Sequence, residues 1–185
     1  MDQPNGTIAE AQSDLRQTYL RGGPGTMVSG VVWLWAGIAA YTRGVRAGFL
    51  LLYCGGVLIF PLSQLILRGL LRHPPLRPGN LGARIVGETV APMIGALLGA
   101  WLLIPYRPEL VFPLAAIAVG AHYFAFRSAY GDRTFWLLGA ILCGIGIVPI
   151  FLFPTPAPTV AFAVSGAELL IGVMLTMQSR SRRGR

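Results

Sequence analysis

Lysine is absent from this 185-residue chain, and charge of every kind is scarce: 12% of the residues are charged, against about 25% in a soluble domain. The shortage excludes a water-soluble globule, because half of the expected polar surface is missing. The basic residues are all arginine, 15 of them against seven acidic residues, for a formal charge of +8. They sit between hydrophobic runs and not on a solvated face interleaved with aromatics, so a nucleic-acid partner is excluded as well. Only two cysteines occur, Cys54 and Cys143, both inside apolar runs where a thiol is an ordinary packing group. With two histidines, His73 in a loop and His122 in a span, neither a metal site nor a bis-histidine haem has enough ligands, and no cofactor is expected. No GxSxG, HExxH or glycine-rich phosphate loop is found. An enzyme is therefore not the expected reading, and intramembrane catalysis would require a pairing of Glu88 with His122.

What the chain does have is hydrophobic length. Apolar runs cover about residues 25–41, 47–67, 85–104, 110–126, 134–153 and 159–177. At 1.5 Å per residue each can cross about 30 Å of hydrocarbon as a helix. The runs lack the alternation of a membrane barrel, so the expected fold is all-α: a polytopic bundle of six transmembrane helices. Residues 1–24 are read as a tail carrying a short amphipathic helix on the membrane surface, begun by a Thr7–Glu10 capping box and broken by Gly22-Gly23-Pro24. Residues 25–177 form the membrane domain, and 178–185 an arginine-rich tail. The N-terminal segment lacks a basic stretch followed by a short apolar core, so the first span is expected to stay in the protein. The Asn5-Gly6-Thr7 sequon carries no weight on a cytoplasmic tail.

Counting arginines on alternate sides of the spans puts twelve on the side of both termini and three, Arg43, Arg46 and Arg107, on the other. The positive-inside rule then places both termini in the cytoplasm. Ala40-Tyr41 and Cys54-Gly55 are echoed 89 residues later by Ala129-Tyr130 and Cys143-Gly144, the spacing expected of a 3+3 inverted repeat, although the third and sixth spans do not align at that offset. Prolines 61, 92, 113 and 149 interrupt spans, and Gly95 and Gly99 form a GxxxG pair suited to close packing within the bundle or to a homo-oligomer.

Two acidic residues fall within the spans, Glu88 and Glu168, joined by the titratable His122. Charge at membrane depth is costly, so such groups face the bundle interior or a water-filled path. Gln64, Glu88 and His122 each lie about 5 Å inside the cytoplasmic boundary and are candidates for one polar cluster. Glu88 also has Arg84 one turn before it as an interfacial ion-pair partner, and a neutral His122 donating to a carbonyl would need no further role. Glu168, nine residues into the sixth span, is close to the midplane. A carboxyl there can exchange a proton when its access to water changes, as a transport coupling group does, or serve as interhelical glue.

At Ile59-Phe60-Pro61-Leu62, Pro108-Glu109-Leu110-Val111 and Gly120-Ala121-His122-Tyr123-Phe124 the chain resembles a family of small bacterial six-helix membrane proteins of uncharacterised function. The resemblance implies a bacterial inner (plasma) membrane and no particular activity. Where that family carries an amide-rich stretch before a proline in its third span, this chain has Glu88-Thr89 before Pro92. The leading expectation is a small transporter or channel-like protein for a solute or proton, lined by Glu168, Glu88, His122 and Gln64. The alternative is a non-transporting scaffold or stress-linked partner acting through the arginine-rich loop Arg68–Arg84 and the C-terminal tail. Beyond these, the bilayer itself is the expected partner.

Overall fold

In a computed structural model, residues 7–181 are described, with side chains through Ser179. Asn5 of the sequon, the tail residues Arg182, Arg183 and Arg185, and the side chain of Arg180 lie outside the described residues. Eight α-helices account for the fold, and the described residues contain no strand: α1 (Ile8–Thr18), α2 (Gly23–Arg43), α3 (Val45–Leu65), α4 (Leu81–Glu88), α5 (Val90–Leu102), α6 (Val111–Tyr130), α7 (Arg133–Phe151) and α8 (Ala157–Ser181). A π-helical turn, Ile66–Leu70, lengthens α3. Six segments are long and apolar enough to cross a membrane, from Leu20–Arg43 to Ala157–Ser179.

The third span is two helices and not one. Pro92 has no N–H for the Glu88 carbonyl, and its ring crowds that oxygen. The helix is interrupted at Thr89, whose hydroxyl donates to the Val86 carbonyl at 2.9 Å. Pro113 does no such damage, because α6 begins at Val111 and its first turn has no intrahelical acceptor to lose. Connections are tighter than the apolar runs suggest. A single residue, Gly44, with φ 91°, joins α2 to α3, and Gly131 in the left-handed region (φ 63°) ends α6.

Glycine also sets the spacing of the core helices. On α2, Gly23, Gly30 and Gly37 recur every seven residues and face α8. A Cβ at Gly30 would lie 2.8 Å from Leu169 Cγ, and one at Gly23 would lie 2.7 Å from the Gly172 carbonyl oxygen. The α6–α7 pair is built alike, with Gly120 against the Gly139 carbonyl and Gly146 against that of Pro113. The expectation that Gly95 and Gly99 pack within the bundle is not met: both are exposed on α5 and nothing lies within 4 Å of a Cβ at either. The echoed pairs occupy unlike surroundings too. Tyr41 is exposed and Tyr130 buried; Cys54 is exposed and Cys143 half-buried.

The amphipathic α1 does form behind its Thr7–Glu10 capping box, but it is docked and not free on a surface. Gln12 Nε2 donates to the Ser128 carbonyl at 2.8 Å and Arg16 Nη1 to that of Tyr130, so α1 satisfies carbonyls that the end of α6 leaves open. Asn80 caps α4 through the Gly82 and Ala83 amides and donates to the Ala11 carbonyl and Asp14. The chain then turns through Leu20, Arg21 and Gly22, all at positive φ (47°, 57° and 80°). Two non-glycine residues in that region carry strain of about 1–2 kcal/mol each. Buried Leu20 and an ion pair between Arg21 and Asp132 hold the turn in place, and Asp132 Oδ1 also caps α7 by accepting from Thr134 N at 3.0 Å.

Burial works against the charge on Asp132, but the bonds from Thr134 and the Arg21 guanidinium outweigh it and hold the carboxyl pKa below its usual value. A lowered carboxylate pKa contributes stability that is complete above the unfolded value of about 3.9 and is lost as pH falls through the folded one. Asp132→Asn should thus destabilise by about 3 kcal/mol at pH 7, with the difference constant down to about pH 4 and shrinking below it, as read by denaturation of the detergent-solubilised protein. In the same assay Gly30→Val should cost about 1–3 kcal/mol by forcing α2 off α8, while Gly99→Val should stay within about 0.5 kcal/mol.

Candidate functional site

The deepest polar group in the bundle is Glu168, whose side chain has 0% exposure. It projects from α8 into the seam with α2 and α6, where Tyr123 Oη donates to its Oε1 at 2.9 Å. The second oxygen, Oε2, is buried and has no hydrogen-bond partner. Hydroxyls from α2 complete the surroundings: Ser29 adjoins both Glu168 and Tyr123, and Thr26 adjoins Tyr123. Thr26 also donates to the Gly22 carbonyl at 3.2 Å, and Ser165, one turn before Glu168, donates to the Gly30 carbonyl at 2.8 Å. The glycine spacing makes this possible, since only an α2 backbone drawn close to α8 brings Ser29 and the Gly30 carbonyl within reach.

Tyr123 is held by an aromatic cluster. Its ring stacks on Phe135 at 6.1 Å between centroids and meets Phe126 edge-on at 5.3 Å; Tyr130 closes the group at 5.1 Å from Phe135. A phenol packed against these rings has little freedom to turn away from the carboxyl, so the Tyr123–Glu168 bond is pre-set.

The other three candidate residues have surroundings of their own. His122 is one residue from Tyr123 but about 100° around the helix, half-buried, with its Nδ1 2.7 Å from the Thr89 hydroxyl at the break in the third span. Which of the two donates follows from the histidine tautomer. Glu88 is exposed and forms an i,i+4 ion pair with Arg84 at 3.6 Å. Gln64, half-buried on α3, has a buried Nε2 without a partner. Among the described residues no hydrogen bond or ion pair joins Glu168, His122, Glu88 and Gln64, and no three His, Cys, Asp or Glu side chains gather as a metal set.

Sequence reasoning passed over Ser29, Thr26 and Thr89, and treated Tyr123 only as a neighbour of His122. Hydroxyls are cheap inside helices because they bond the backbone of the preceding turn, so they stand out far less than a carboxylate. The one available signal was Thr26 and Ser29 recurring at i,i+3 beside the stripe of α2 glycines.

An all-helical bundle with six membrane-length helices and a carboxyl sealed in its core defines a polytopic membrane protein. The chain belongs to the DUF7010 family, a family of unknown function, whose match spans residues 8–178. No curated protein and no solved structure matches it.

Removing the phenol oxygen leaves Glu168 with neither carboxyl oxygen bonded to Tyr123. Tyr123→Phe should therefore lower stability by about 1 kcal/mol in thermal unfolding of the detergent-solubilised protein, with Tyr41→Phe, on an exposed side chain, unchanged.

Proposed function

We propose that this protein is a small proton-linked transporter of a bacterial inner membrane, with both termini cytoplasmic, in which Glu168 takes up and releases the proton. The observation that carries the reading is the carboxyl sealed in the core, with one oxygen held by Tyr123 and the Ser29 hydroxyl beside it. A carboxyl sealed away from water is costly to bury, and for an ionisable group at membrane depth function is the default reading. A proton on Oε2 would neutralise the group while Tyr123 still donates to Oε1. Movement of α8 against α2 and α6 would alter access to that proton, and the hydroxyls of Ser29 and Thr26 offer it neighbouring stations.

A second reading is favoured by a different observation. Among the described residues no hydrogen bond or ion pair joins Gln64, Glu88 or His122 to Glu168, which suits a non-transporting membrane protein that works through its arginine-rich face. In that case Glu168 ties α8 to α6 and nothing more.

Proteoliposomes under an imposed pH gradient separate the two. The protein should carry proton flux above that of empty liposomes, and Glu168→Gln, which keeps the size and an acceptor for Tyr123, should reduce it at least tenfold. Flux that survives the substitution, or protein that carries none, overturns transport through Glu168.

A further inference from the structure

At the end of the bundle closed by α1, a cleft of about 610 Å³ opens between α1, the start of α4 and the α6–α7 turn. Three arginines line it, Arg84, Arg127 and Arg133, against one carboxylate, Glu88. Glu88 is engaged by Arg84, whereas Arg127 and Arg133 have no carboxylate partner among the described residues. Arg127 and Arg133 bring like charge to one cleft, where an anion would lower their mutual repulsion.

We propose that this cleft holds the phosphate of an anionic phospholipid. Three features select that occupant. The excess of two positive charges suits a phosphodiester, and guanidinium groups match phosphate oxygens in bidentate geometry. Ile8 and Ile85 line the same cleft, with Ile8 67% exposed, an apolar surface that a free inorganic anion leaves uncovered and a lipid covers. The cleft also sits at the ends of membrane-length helices, the depth at which headgroups lie. Its wall is built before any lipid arrives, because Gln12 is bonded to the Ser128 carbonyl and Asn80 ties α1 to α4. Glu88 then acts as a competitor for Arg84.

The test uses the full chain in a neutral detergent, titrated with phosphatidylglycerol, phosphatidylcholine or inorganic phosphate, with the unfolding midpoint as readout. Phosphatidylglycerol should raise the midpoint, with phosphatidylcholine and inorganic phosphate giving little or no shift. Its apparent affinity should fall about fivefold for each arginine removed in Arg127→Gln and Arg133→Gln, and should be unchanged in Arg43→Gln at the other end of the bundle. Glu88→Gln, an exposed position that keeps the fold, should tighten binding by freeing Arg84. Equal stabilisation by phosphatidylcholine overturns the proposal, as does phosphatidylglycerol binding that ignores Arg127 and Arg133 or weakens in Glu88→Gln. A midpoint raised as far by inorganic phosphate overturns the lipid assignment.

Discussion

Close approach of helix backbones is the constraint from which the rest of this bundle follows. Lipid tails are as apolar as leucine, so burying apolar side chains does little to hold membrane helices together; van der Waals contact between backbones has to supply the attraction. Gly23, Gly30 and Gly37 on α2 and Gly172 on α8 permit it on one side, and Gly120, Gly139 and Gly146 on the other. Gly48 on α3 approaches the Ala36 carbonyl of α2 as closely, yet α3 and α5 present most of their surface outward. The polar core depends on the same contact, because the Ser165 bond to the Gly30 carbonyl exists only at that separation.

A second constraint acts at the end of the bundle where α1 docks. The turn from α1 into α2 passes through three left-handed residues, a conformation that a free chain would abandon. It persists because Arg21 reaches Asp132, which also caps α7, and because α1 is bonded to α6 and α4 through Gln12, Arg16 and Asn80. Strain at the turn is thus offset by satisfying groups at the ends of three other helices. Arg127 and Arg133, which have no carboxylate partner among the described residues, line the cleft at this end.

Legibility in the sequence followed the range of the interaction concerned. The six spans, their order and the Thr7–Glu10 cap were legible because each depends on local composition and residues a turn apart. The Arg84–Glu88 pair, at i,i+4, was legible for the same reason. The GxxxG pair was visible as a pattern but does not pack within the bundle, since Gly95 and Gly99 meet nothing in the chain while the seven-residue glycine repeat on α2 forms the contact. Pro92 signalled a break in the third span, but not that the Thr89 hydroxyl at that break would meet both the Val86 carbonyl and His122.

The shortage of charge noted at the outset determined, without any structure, that this chain is a bundle of membrane helices and that Glu168 is its costliest residue to bury. That follows because desolvation and helix length are properties of single segments. Which groups meet Glu168 was decided by tertiary structure alone. Tyr123 is 45 residues away and Ser29 more than 130. Only the glycine-set approach of α2 to α8, and the aromatic cluster that fixes the Tyr123 ring, bring their hydroxyls to that carboxyl.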